Sequence, residues 1–228
     1  MISNTRHVTA AGLAAAVCLG LLSVTPAVAQ HGHQQGHRPN VMEYLDRLDR
    51  PERDQEQKPA QVVETLGLKP GMSVADLGAG SGYFTRRFVE AVTETGMVYA
   101  IDVEPEALKY VEESLVHMHR PYTAEFIHAR PDNPKLPVES VDLIFICNTY
   151  HHLEDRSTYF RNVKSALKPG GRIAIVDYYH DARSGELGFP KKHLVPRDTV
   201  VEELTAAGYK LVKEPTFLPK QYFLEFVP

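Results

Sequence analysis

The sequence predicts an α/β protein whose doubly wound, seven-stranded sheet runs mostly parallel with one strand reversed. Three observations predict it. From Pro59 onward, short apolar runs alternate with segments of about ten residues whose apolar positions recur at helical spacing, the signature of βαβ crossovers. The first such run ends in a glycine-rich bend, VADLGAGSGYFT, Val74 to Thr85. The last two runs are separated by a short proline-containing loop, too short for a crossover, so they pair as an antiparallel hairpin.

The elements follow in order. Apolar residues fall at helical spacing from Val41. Pro59 to Leu66 reads as a helix with Val62, Val63 and Leu66 on one face and Gly67 closing it. Met72 to Leu77 is a strand, Phe84 to Val92 a helix with Phe84, Phe88 and Val92 in register, and Met97 to Asp102 a second strand. Leu108, Val111, Leu115 and Met118 mark the next helix. Ala124 to Ile127 is a weak strand and Val141 to Ile146 a strong one. A helix carrying Tyr159, Phe160, Val163 and Leu167 precedes the strand RIAIVDY from Arg172. Val200, Val201 and Leu204 lie on a helix stopped by Gly208, and strands at Lys210 to Lys213 and Tyr222 to Val227 complete the sheet. LKPG occurs before two strands, at Leu68 to Gly71 and Leu167 to Gly170; Pro followed by Gly suits a type II turn, one helix-to-strand device used twice.

Ahead of this domain, assigned to residues 41–228, Arg6 precedes an apolar stretch from Val8 to Val24 and the small-residue site Ala27-Val28-Ala29. That order reads as a signal peptide over residues 1–29, with an exported protein, periplasmic or secreted, as its consequence and no stable membrane insertion after cleavage. Residues 30–40 are polar; their His31, His33 and His37 lack cysteine or carboxylate company, so a solvated tail is read there and no metal site. Cleavage after Ala29 removes one charge, Arg6, and leaves 24 basic against 29 acidic side chains. A mildly acidic chain without a Lys/Arg block lacks the electrostatic footprint of a nucleic-acid binder. Of Cys18 and Cys147 only the second survives, in an apolar run that reads as buried packing, so no internal disulfide can form. The oligomeric state is not legible.

In a doubly wound sheet, ligands sit beyond the strand carboxyl ends, and the first strand-to-helix turn lies at the topological switch point. Gly78, Gly80 and Gly82 occupy that turn. A dinucleotide fingerprint needs its third glycine one residue later, where Tyr83 stands, which disfavours a nicotinamide ligand. Asp76 with G-x-G-x-G, Asp102 ending the second strand, the strand of VDLIFICNTYHHL, and LKPGGRIAIVDY together resemble the class I S-adenosylmethionine-dependent methyltransferases, especially the group that includes the ubiquinone/menaquinone and related small-molecule enzymes. The resemblance spans about Lys58 to Val227. It implies a Rossmann-like fold, S-adenosyl-L-methionine as cofactor, Asp102 on the ribose hydroxyls, and Asp76 near the amino-acid end. Gly78, Ala79, Gly80, Gly82, Val103 and Asn148 join the cofactor site. The Asp-Ala pair usual after the third strand is replaced by His128-Ala129, leaving Asp132 or Asn133 to meet the adenine.

NTYHHL follows the strand where this fold puts the transferred methyl. His151 and His152, with Tyr150, are the catalytic candidates as base or acceptor-orienting groups, His151 first. Tyr83, Tyr178, Tyr179, His180, Gln57 and Lys58 lie at other edges of the expected pocket. A thiol-based arsenic methyltransferase would need several cysteines and is excluded. The expected function is methyl transfer to a small molecule; the alternatives are a non-catalytic binder of the same cofactor or its demethylated product, and a nicotinamide-dependent oxidoreductase.

Overall fold

The structure, a computed structural model, describes residues 40–119 and 123–228. The signal peptide and, apart from Asn40, the polar tail expected from the sequence lie outside the described residues. Asn40 itself caps a helix: its side chain accepts from the Met42 N–H at 3.2 Å.

Helices α1 (Val41–Leu48), α2 (Glu52–Gln57) and α3 (Pro59–Leu66) precede strand β1 (Ser73–Leu77). Then come α4 (Tyr83–Val92), β2 (Met97–Asp102), α5 (Pro105–His117), β3 (Ala124–His128), β4 (Val141–Cys147), α6 (Arg156–Val163), β5 (Leu167–Tyr178), α7 (Arg197–Ala206), β6 (Lys210–Lys213) and β7 (Gln221–Val227). The seven strands form one sheet in the order β3-β2-β1-β4-β5-β7-β6, with β7 antiparallel to both neighbours and every other pairing parallel. The order reverses between β1 and β4, so the switch point falls at the end of β1, where the sequence puts its glycines.

Alternation along the strands divides the core into two layers. On one face Val74, Val98, Leu143 and Phe145 meet α3, α4 and α5 through Val62, Phe84, Phe88 and Val111. On the other, Ala75, Ile144, Ile146, Ile175 and Leu224 meet α6 and α7 through Phe160, Val163, Val200 and Leu204. The rings of Phe84 and Phe88 sit 4.7 and 5.1 Å from that of Phe145, and burying each such side chain contributes about 1.5–3 kcal/mol. Both sheet edges are short. β6, four residues, exposes Lys210 and Lys213; β3, five residues, exposes Glu125 and His128.

Two sequence expectations need correction. Leu167 does not extend the preceding helix, which ends at Val163; it opens β5 and pairs with Val141. Pro169 cannot donate, Gly170 turns to φ 80°, and the β4–β5 register shifts between Val141 and Leu143, so the second LKPG is a bulged start of the strand rather than a separate loop. The first LKPG does form a turn, with Met72 N–H donating to Lys69 O at 3.2 Å and Gly71 at φ 87°. Helix α2 was not expected at all. Among the described residues no helix is long and apolar enough to cross a membrane, and no group of three or more His, Cys, Asp or Glu is placed to hold a metal.

Candidate functional site

The site is assembled at the carboxyl ends of β1, β2 and β4. After Leu77 the chain bends through Gly78, Gly80 and Gly82, all left-handed at φ 78°, 54° and 74°. L side chains rarely adopt that conformation, and at Gly78 and Gly82 the neighbours allow no Cβ either. One on Gly78 would fall 2.2 Å from Thr149 Oγ1, and one on Gly82 2.8 Å from a Val111 methyl. The glycines are therefore required by backbone conformation and by close approach of the protein's own elements. The bend is tied to β2: the N–H groups of Gly78 and Ala79 donate to Ile101 O at 2.8 and 3.0 Å, and Gly80 N–H donates to Asp102 Oδ2 at 2.8 Å.

Beside this bend lies a cavity of about 290 Å³. Leu77, Ile101, Val103, Ala129 and Leu153 supply apolar walls; Gly78, Asp102 and His152 also face it. Asp102 accepts from Gly80 N–H through one oxygen and from Glu104 N–H, at 3.0 Å, through the other. A carboxylate offers about four acceptor sites, so capacity for two more donors remains. Burial, then the neighbouring His151, holds the His152 imidazole below the usual histidine range, so it is a neutral wall near pH 7.

Asp76 sits deeper, at 3% exposure, and accepts from Thr85 Oγ1 at 2.6 Å. Burial pushes its carboxyl up to about 6, against the pull of the Thr85 bond and of the Arg53 guanidinium. Arg53 reaches in from α2. Its Nε donates to Gln57, its Nη1 to Leu48 O at 2.6 Å, and its guanidinium lies 3.8 Å from the Tyr83 ring centroid. Helices α1 and α2 are strapped over the bend: Asp49 accepts from Ser81 Oγ and Arg86 Nη2, both at 2.7 Å, and Asp54 accepts from the Tyr83 hydroxyl and from Arg87.

A methyltransferase-domain family model matches residues 75–175. The chain is 27% identical over 157 residues to the ubiquinone/menaquinone biosynthesis C-methyltransferase UbiE of Pseudoalteromonas translucida, spanning 68% of this chain and 62% of that one. It is 28% identical over 116 residues to the UbiE of Shewanella sediminis, spanning 51% and 46%. The crystal structure of a SAM dependent methyltransferase from Aquifex aeolicus superposes with a TM-score of 0.75 at 28% identity, covering 81% of this chain and 96% of that one. Together these matches support a class I S-adenosylmethionine-dependent methyltransferase. It covers less than two thirds of the length of the two UbiE proteins.

The family's cofactor is S-adenosyl-L-methionine, and the residues present fit it. An apolar slot suits adenine, and the spare acceptor capacity of Asp102 on its wall suits a vicinal diol. Of the residues expected in this methyltransferase site, Gly78, Asp102, Val103 and His152 line the cavity; Ala79, Gly80 and Gly82 form the bend behind it and Asp76 lies deeper. Three do not enter. Asp132 turns outward to Arg130 at 3.2 Å and lines a different hollow, together with Asn133, while Arg130 and Pro131 face the slot instead. Asn148, at φ 55°, is occupied by Gln221, whose side-chain N–H donates to its carbonyl at 2.7 Å. Tyr150 is fully buried, stacked on Phe160 and bonded to Glu203. His151 does not line the cavity either: with 4% of its side chain exposed, it is anchored through Nδ1 on Asp177 of β5. Cys147 is buried as expected; burial pushes its thiol up to about 12.

Sequence reasoning missed Arg53, Asp49 and Asp177. The first two lie in a polar stretch without apolar periodicity. Asp177 carried a signal, an acidic residue near the carboxyl end of a parallel strand, as at Asp76 and Asp102.

Proposed function

We propose that this chain transfers the methyl group of S-adenosylmethionine to a small-molecule acceptor and that it works outside the cytosol. The observation that carries the first part is the Asp102 carboxylate, with unused acceptor capacity on the wall of an apolar slot at the switch point. When bound, the cofactor supplies an electrophilic methyl on a cationic sulfur whose leaving form is a neutral thioether. The protein's part is chiefly positioning, which contributes up to roughly 7–11 kcal/mol in favourable systems. Asp102 holds the ribose hydroxyls. Asp76 takes the ammonium end, and Arg53 Nη2, which makes no hydrogen bond among the described residues, takes the carboxylate. The net charge of -4 and the absence of a basic block favour a small acceptor over nucleic acid. Export rests on the Val8 to Val24 apolar stretch and the Ala27-Val28-Ala29 site.

Calorimetry with S-adenosylmethionine and, separately, NAD tests the cofactor reading. Asp102→Ala is expected to bind S-adenosylmethionine at least tenfold more weakly, since charged hydrogen bonds contribute about 1.5–3 kcal/mol each. Equal binding by that variant, or binding of NAD instead, would refute it. Labelled-methyl transfer into a metabolite extract separates enzyme from silent binder.

A further inference from the structure

His151 is held in a manner its neighbour is not. Its Nδ1 lies 2.9 Å from both oxygens of Asp177, and its backbone N–H donates to Asp177 Oδ2 at 3.2 Å. Asp177 is itself fixed, with 1% of its side chain exposed and the Tyr178 N–H donating to Oδ1 at 2.8 Å. A carboxylate can only accept, so Nδ1 carries the proton and Nε2 presents its lone pair. Two rings lie against the imidazole, that of His152 at 4.1 Å and that of Phe189 at 6.0 Å. One ring edge is anchored; the other, carrying Nε2, has no hydrogen-bond partner among the described residues. It is not sealed either: among the described residues the sealed side-chain atoms without a hydrogen bond are Gln221 Oε1 and Glu225 Oε1. The His152 ring beside it lines the cofactor cavity, so the His151 imidazole lies next to a residue of that cavity's wall. Phe189 and Tyr178, 6.5 Å apart edge to face, set aromatic surface beside this imidazole.

We propose that His151 Nε2 is the catalytic base for methylation of an aromatic hydroxyl and that Asp177 is its positioning residue; this deepens the methyltransferase reading above and rests on it. The step balances. Nε2 takes the acceptor's O–H proton while the oxygen–methyl bond forms and the carbon–sulfur bond breaks, its electron pair staying on sulfur. The proton then leaves the imidazolium for solvent. The buried Asp177 carboxylate offsets the charge that arrives on the ring, and the flat Phe189 and Tyr178 surfaces select a planar acceptor body. The titratable groups around the pair are His152, with His193 facing it, on one side, and Tyr178, Tyr222 and Cys147 around Asp177.

The test uses labelled S-adenosylmethionine with catechol and, in parallel, thiophenol, which is already ionised near neutral pH and needs no base. His151→Gln is expected to lower kcat for catechol by 10²–10⁴-fold while leaving KM, cofactor affinity and the thiophenol rate within about threefold. Added imidazole should restore part of the activity of His151→Ala, and Asp177→Asn should lower kcat and displace the acid limb of the pH profile. An unchanged catechol kcat in His151→Gln overturns the inference, as does a parallel loss with thiophenol or a cofactor-binding wild type that methylates no hydroxyl probe. A wild type that does not bind the cofactor overturns the proposed function instead. Nitrogen NMR of the unmutated chain gives a readout independent of folding in the variants: His151 protonated at Nδ1 and bare at Nε2 is expected, and the opposite tautomer refutes the assignment.

Discussion

Asp76 keeps its proton to about pH 6 because burial outweighs the Thr85 hydroxyl and the Arg53 guanidinium that favour its charge. In the unfolded chain the same carboxyl ionises near its ordinary value of 3.8. The folded state thus holds more protons between those limits, and stability of the cofactor-free protein declines as pH rises from about 4 to about 6, by up to about 3 kcal/mol. Asp76→Asn should remove that slope and raise the melting temperature of the cofactor-free protein at pH 8, where the wild type carries a buried charge. The same variant should bind S-adenosylmethionine more weakly, because the ammonium loses its counter-charge. For the wild type, cofactor affinity should fall about tenfold per pH unit below about 6, where the carboxyl must first ionise. Calorimetric titration from pH 5 to 8 measures this, and a flat profile would show that Asp76 does not meet the cation.

At the scale of elements, the cover over the glycine bend is held by polar contacts. The buried residue of α1 is Leu45 and that of α2 is Gln57, whereas Asp49 alone joins α1's end to Ser81, Arg86 and Tyr110. Asp49→Ala should therefore cost about 1–2 kcal/mol and act locally. Amides of residues 41–57 would exchange faster while those of β1 and β4 stay protected; uniform acceleration would mean that the cover is integral to the core. This dependence also explains what could be read from the sequence. Val62, Val63 and Leu66 declare α3, with Gly67 left-handed at its end, because its face is apolar. ERDQEQ declares nothing, since α2 is stabilised by tertiary charge contacts that leave no periodic trace. Leu167 reads as helical because its spacing from Val163 suits a helix; the bulge at Pro169 and Gly170 decides otherwise. Asp102 and Gly78 were legible from strand ends and the bend. The partition of His151 and His152 was not, because adjacent residues in the short 3-10 turn Tyr150–His152 face different ways and only the position of Asp177 distinguishes them.

The whole molecule combines a mostly parallel sheet with a start that reads as an export signal. Protein recovered from outside the cytosol should begin at Gln30, and Edman or mass-spectrometric sequencing of its first residues checks this; recovery only from the cytosol with Met1 intact would refute export. The sheet that such a protein brings into a new compartment has two open borders, and each is brief and charged, by Lys210 and Lys213 on β6 and by Glu125 and His128 on β3. Stacking β6 on β6 would crowd ammonium on ammonium, and β3 on β3 carboxylate on carboxylate, and either would strip hydration. In concentrated solution the margins thereby oppose pairing of like rims between copies.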